Sequence, residues 1–279
     1  MSKIYIINNA KEKELFSWRK VYLSARRVGA SKALAQDIAS AIEKKAYSGM
    51  PTREIFQRIK DILSKELPQA GIRFNLRRGI RDLGPSGFAF ERFAGEIFKH
   101  RGYFLTYNQF IKGACIRHEI DFLAAAKKQL ILAECKYHKL PGNRVDTKVI
   151  EYNYAVFLDL QNGAFIKKQK KDVVISSLIV TNTKFTSRAI KYAQCIKMPL
   201  LGWKYPKGKG LEYWIESQKL YPVTILPSFK NSLIEVFMRE KMMLAKNLLD
   251  IDSFQFARRT GIDRKKIVVL IEEAEILLK

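Results

Sequence analysis

From Leu15 to about Tyr47 the apolar residues recur with helical spacing: Leu15, Trp18, Val21 and Tyr22, then Leu34, Ile38, Ala41 and Ile42. Gly29-Ala30-Ser31 interrupts that pattern, and Ser31 is a suitable N-cap for the second helix. Ahead of it, Lys3–Ile7 is β-branched and aromatic and predicts a short strand, with Asn8-Asn9 as a turn. Gly49-Met50-Pro51 breaks the chain again. Thr52, Glu54 and the run Ile55, Phe56, Ile59, Ile62, Leu63 predict a third amphipathic helix. Residues 68–87 hold Pro68, Gly71, Gly79, Gly84, Pro85 and Gly87, a linker-like composition with a short basic helix at Arg73–Arg81. The first domain boundary is therefore expected at about residue 84.

Beyond it, Ala89–Arg101 predicts a helix with Phe90, Phe93, Ile97 and Phe98 on one side, ended by Gly102. Strand-like runs follow at Tyr103–Tyr107, Cys115–Ala124 and Leu130–Tyr137, closed by Pro141-Gly142-Asn143. A long helix at Val145–Leu160, a buried strand at Val173–Thr181, a helix at Thr186–Lys197 and a short strand at Pro199–Trp203 complete the segment. That order builds an α/β layer in which helices cover a sheet. Residues 223–279 read as wholly helical, with two short helices joined at Thr260-Gly261-Ile262. The expected domains are thus 1–84, 85–222 and 223–279.

Composition narrows the class. Of 279 residues 47% are apolar and 28% charged, as in globular proteins, which excludes a disordered or collagen-like chain. No apolar run approaches the ~20 residues of a membrane helix, and the first residues lack a secretory apolar stretch. The expectation is a cytoplasmic protein with no membrane partner. Charge changes the picture most. The net charge is +24, and a polyanion such as DNA is the partner that such a charge suits. The excess is +10 over residues 1–84, +12 over 85–222 and +2 over 223–279. Cys115, Cys135 and Cys195 have no zinc-ligand spacing and imply no disulfide framework.

Candidate chemistry lies in His118-Glu119-Ile120-Asp121 and in Leu130–Lys136, which ends Glu134-Cys135-Lys136. On a strand Glu134 and Lys136 project from one face, and burying such a pair without a role is costly. Asp121, at the end of the preceding strand-like run, would come beside Glu134. Two hard carboxylates suit Mg²⁺, with Lys136 orienting or deprotonating a water or neutralising charge on a reacting phosphate. Glu91 is a candidate third carboxylate; an edge-strand charge pair is the plain alternative for Glu134 and Lys136. His118 and His138 flank the site and are read as structural. Phe104, Tyr107, Trp203 and Tyr205 are read mainly as core, and Lys167, Lys168, Lys170 and Lys171 as a solvated loop within reach of phosphate.

On these residues the chain resembles the PD-(D/E)xK nuclease superfamily, in its branch of Mrr-type restriction endonucleases. The matching segments are GFAFERFAGEIFKHRGY (87–103), HEIDFLAAA (118–126), ILAECKYH (131–138), DTKVIEYNYAVFLDL (146–160) and TNTKFTSRAIKYAQC (181–195). The resemblance implies a restriction-endonuclease-like mixed sheet flanked by helices. It also implies hydrolysis of DNA phosphodiesters with Mg²⁺, metal ligands Asp121 and Glu134, and catalytic roles for Glu91, Asp121, Glu134 and Lys136. Asp146 and Lys148 match an acidic-basic pair after the catalytic strand, Lys148 as a backbone contact.

The N-terminal segment resembles an ATP-cone through residues 16–30 and 51–63, which implies ATP or dATP as an effector at Lys20 and Lys11. Where that family shows Lys-Arg-Asp-Gly, this chain has Asn8-Asn9-Ala10-Lys11. The tail resembles a helix-hairpin-helix unit, with Gly261 at the turn and Arg258, Arg259, Arg264, Lys265 and Lys266 toward phosphate. The whole reads as a DNA endonuclease able to form a homodimer. A non-catalytic DNA-binding or nucleotide-responsive adaptor and a junction-resolving nuclease are the alternatives.

Overall fold

The computed structural model describes residues 3–8, 11–84 and 87–279. The chain divides into two compact units: residues 1–79 with 223–230 and 245–279, and residues 80–222 with 231–244. The C-terminal segment is therefore shared between the two and does not stand as a third body. Among the described residues no helix is long and apolar enough to cross a membrane.

The first unit opens with a hairpin of β1 (Tyr5–Ile7) and β2 (Lys13–Leu15). The second strand takes Leu15, which the helical spacing had claimed. Asn9, of the expected Asn8-Asn9 turn, lies outside the described residues, as does Ala10. Helices α1 (Trp18–Arg27), α2 (Lys32–Lys45) and α3 (Thr52–Glu66) follow. The Ser31 hydroxyl accepts the Leu34 amide at 3.1 Å and caps α2, as expected from the sequence. The linker-like residues 68–81 hold the short basic helix expected at Arg73–Arg81 and a further helix ahead of it. They form α4 (Pro68–Arg73) and α5 (Leu76–Arg81), and the segment buries Ala70, Ile72, Phe74, Leu76 and Ile80. Gly71 is needed for close approach, since a Cβ there would lie 2.4 Å from the Ser64 hydroxyl of α3.

The second unit starts with α6 (Phe88–Lys99), followed by β3 (Phe104–Lys112), β4 (Arg117–Ala126) and β5 (Gln129–Lys136). Next come β6 (Arg144–Val145), α7 (Thr147–Asn162), α8 (Ala164–Lys167), β7 (Val174–Thr181), β8 (Lys184–Phe185), α9 (Ser187–Cys195), β9 (Leu200–Leu201) and α10 (Leu211–Ser217). The main sheet has the order β3-β4-β5-β7-β9. Its first three strands are antiparallel, and β5, β7 and β9 are parallel. This is the mixed sheet flanked by helices that the sequence implied. One face packs on α6, where Phe98 meets Phe122 at 5.5 Å between ring centroids. On the other, Leu130, Leu132 and Leu160 of α7 form a buried cluster with Ile111, Ile120 and Leu123. Parallel strands joined by helices leave the carboxyl ends of β5 and β7 as the place where an open sheet binds ligands.

In the tail, α11 (Ile234–Arg239) belongs to the second unit, and α12 (Ser253–Thr260) and α13 (Arg264–Leu278) to the first. Gly261 ends α12 with φ +73°, a left-handed cap that glycine adopts without strain. The Asp263 carboxylate accepts the Lys265 amide at 2.8 Å. One amide of the α13 N-terminus is thus capped from within the chain. The Arg73 guanidinium donates to the Leu277 carbonyl at 2.9 Å and ties α4 to the end of α13.

Of the four aromatics read as core, Trp203 is buried and Tyr205 packs against Phe185. Tyr107 is half-buried beneath Arg92. Phe104 is a correction: on an edge strand it is 82% exposed.

Candidate functional site: a carboxylate cleft where two strands part

Strands β4 and β5 pair from Ala126–Gln129 up to Phe122–Ala133, and the ladder stops there. Beyond the last pair, the Asp121 carboxylate takes over the role of a backbone acceptor and receives the Cys135 amide at 2.6 Å. The two strands part at this point, at the carboxyl end of β5. Glu134 flanks the amide on one side and Lys136 on the other. The Lys136 ammonium donates to Glu134 at 2.6 Å, both side chains being only partly exposed. Asp121, Glu134 and Lys136 are therefore contiguous, as expected from the strand spacing. Glu91, in the first turn of α6, is half-buried and feels the charges of Glu134, Glu119 and Lys136.

The electrostatics follow from crowding like charges in a half-buried cleft. Burial raises the Asp121 carboxyl to about 7, helped by Glu134 and Glu91 and opposed by the Cys135 amide and Lys136. Burial also raises the Glu91 carboxyl, with Glu134 and Glu119 adding to it. For Lys136 burial acts to lower the ammonium, but the hydrogen bond and charge of Glu134 and the charge of Asp121 outweigh it and hold the group above its ordinary value. Lys136 therefore stays protonated. The buried Cys135 thiol is pushed up by burial and by the surrounding carboxylates, so it is inert as a nucleophile.

A polar layer behind the cleft holds its backbone. The Thr181 hydroxyl donates to the Lys136 carbonyl at 2.6 Å. Asn182 accepts the His138 amide at 2.9 Å and donates to the His138 carbonyl at 2.8 Å. Sequence reasoning missed these residues. The signal that could have found them is Thr181-Asn182-Thr183, three polar residues in a row at the end of a largely apolar strand. The Tyr137 hydroxyl donates to the Arg81 carbonyl.

His138 sits beside the cleft, its imidazole held neutral by burial and by Lys136. His118 points elsewhere. Its Nε2 meets Asp159 of α7 at 2.8 Å, and Asp159 also accepts the Cys115 amide at 2.8 Å. That pairing fastens the β3–β4 turn to α7, the structural role expected for His118. Asp146 is the N-cap of α7, accepting the Val149 amide, and Lys148 is exposed. In the first unit, Lys20 pairs with Glu14 at 3.1 Å, and Lys11 is exposed with φ +63°.

The donor set fits a hard divalent cation. Asp121 and Glu134 supply carboxylate oxygens whose mutual repulsion a cation would relieve. Among the described residues no group of three or more His, Cys, Asp or Glu is arranged to hold a metal. A cation bound here would therefore keep water or phosphate oxygens in much of its shell, as Mg²⁺ commonly does.

Comparison with known proteins places the chain. A family described as AF1548-like, C-terminal, matches residues 221–278. A protein of Archaeoglobus fulgidus that carries no functional description is 32% identical over 179 residues, covering 64% of this chain and 96% of that protein. The crystal structure of the protein of unknown function AF1548 is similar at TM-score 0.59 and 28% identity, over 68% of this chain and 97% of that one. MspJI restriction endonuclease in complex with a 27-mer oligonucleotide matches only at TM-score 0.33 and 12% identity, over 71% of this chain and 39% of its own, too distant to argue from. On the extent of the Archaeoglobus match, the chain belongs to the AF1548-like family.

Proposed function

We propose that the protein is a metal-dependent endonuclease that hydrolyses DNA phosphodiester bonds in the cleft between β4 and β5. The observation that carries this reading is the junction of Asp121, Glu134 and Lys136 around one backbone amide at the carboxyl end of a parallel strand. Asp121 and Glu134 would hold Mg²⁺. When bound, the ion polarises phosphoryl oxygens and lowers the pKa of its water. Lys136, kept protonated by its two carboxylate neighbours, neutralises charge that develops on the phosphate and is not a general base. Glu91, with its carboxyl raised by burial and by the charges of Glu134 and Glu119, would take a proton from an attacking water. The net charge of +24 supports a polyanionic substrate.

The same reading extends to an ATP or dATP effector on the first unit at Lys11 and Lys20, and to a homodimer that cuts both strands. The test is a cleavage screen over duplex, single-stranded, four-way-junction and modified DNA at matched salt, with Mg²⁺ or Mn²⁺ against EDTA. Metal-dependent cutting of any of these supports the reading, and preference for the junction assigns a resolving nuclease. Binding of DNA with no cutting under any divalent ion makes the protein an adaptor.

A further inference from the structure

Strands β3 and β4 keep one register along their whole length except at a single position. Tyr107 pairs with Phe122 and Gln109 with Ile120, and between them Asn108 and Asp121 make no ladder pair. Asn108 has φ +52°. Across this position the two faces of the sheet exchange. Tyr107 and Phe122 pack together on the α6 side, where Phe122 meets Phe98. Ile120, two residues from Phe122, and Ile111, four from Tyr107, instead pack under α7 with Leu132 and Leu160. Regular alternation keeps residues two or four apart on one face. No residue is inserted, so the inversion comes from backbone rotation at this one rung.

We infer that Asn108 is a positioning residue for the candidate site: its left-handed backbone turns the strand pair over at Asp121 and so aims the Asp121 carboxylate at the Cys135 amide beside Glu134. The inference rests on the functional reading above for what the aimed carboxylate does. It rests on geometry alone for how the carboxylate is aimed. Asparagine is the residue other than glycine that enters the left-handed region most readily, and a β-branched residue is an outlier there. The Asn108 side chain is exposed, so replacing it removes no buried packing. Its effect must run through the backbone, which is why glycine should serve and valine should not.

The test compares wild-type full-length protein with Asn108→Gly and Asn108→Val by crystal structure and by calorimetric titration with Mn²⁺. Should the valine variant not fold, Asn108→Ala takes its place. Asn108→Gly should keep the Asp121–Cys135 hydrogen bond and bind Mn²⁺ within about twofold of wild type. Asn108→Val should lose that bond and bind Mn²⁺ at least about tenfold more weakly, the scale on which residues that orient metal ligands act. A valine variant that keeps both the bond and the affinity overturns the inference, even if its melting temperature falls. If wild-type protein takes up no Mn²⁺ at millimolar concentration, the nuclease reading fails instead. The crystal distance from Asp121 to Cys135 then decides the role of Asn108 by itself.

Discussion

Asp121→Asn keeps an oxygen to accept the Cys135 amide and removes only the charge. In the native protein the Asp121 carboxyl titrates at about 7 against an ordinary 3.8. At ~1.36 kcal/mol per pH unit, that sets a ceiling of about 4 kcal/mol. The side chain retains access to water, and screening reduces the expected effect to about 1–2 kcal/mol. Between about pH 4 and 7 the folded chain holds this proton and the unfolded chain does not, so the stability of the wild type falls as the pH rises through that window. Above pH 7 the whole penalty stands, and below pH 4 it vanishes. In EDTA at pH 8.5, Asp121→Asn should therefore melt above the wild type. At roughly 2–4 °C per kcal/mol for a unit of this size, the gap is about 2–8 °C by scanning calorimetry. At pH 4 the gap should close. Added Mg²⁺ should raise the melting temperature of the wild type and leave that of the variant unchanged. An unchanged difference between pH 4 and pH 8.5 would refute the account of Asp121 as a strained, half-buried carboxylate.

Other outcomes follow from the same geometry. Neutralising Lys167, Lys168, Lys170 and Lys171 should weaken duplex binding and flatten its logarithmic salt dependence by ~0.9 for each phosphate that is no longer neutralised, with Mn²⁺ uptake unchanged; an unaltered slope removes these lysines from the interface. Asp159→Ala leaves the Cys115 and Ile116 amides and His118 without their acceptor, and amide exchange should accelerate across the β3–β4 turn but not in the first unit. Lys20→Ala should abolish any ATP or dATP binding detected by calorimetry, and equal affinity in the variant removes Lys20 from that site.

Much of the fold was legible because its elements are long and periodic. α2, α3 and α7 and strand β7 lie within a few residues of where apolar spacing and caps place them, and Ser31 caps α2 as expected. Where glycine and proline are dense, the reading found the short basic helix seen as α5 but missed the helix before it. In residues 68–81 the buried Ala70, Ile72, Phe74 and Ile80 are spread over two short helices and the junction between them, each helix too brief to show a period. The tail gave up α12 and α13, whose apolar faces repeat. It did not reveal that residues 231–244 join the second unit, because long-range packing leaves no local pattern. The candidate site followed a similar split. Alternation on β5 placed Glu134 and Lys136 together. The order of the strand-like runs brought Asp121 beside them, but the amide hydrogen bond that fixes its carboxylate and the left-handed backbone at Asn108 lie outside a rule of strict alternation. The strand end at Thr181 was legible, but not that Thr181, Asn182 and Thr183 would be buried behind the site.

The most direct measurement is relaxation of supercoiled plasmid by wild-type protein, Glu134→Gln and Lys136→Ala, each with Mg²⁺ and with EDTA. The account expects nicked or linear product from wild type with Mg²⁺ alone and a loss of about a hundredfold or more in either variant, the scale of removing one group that stabilises charge in the transition state. Cutting that survives EDTA, or a Glu134→Gln protein as active as the wild type, would contradict it.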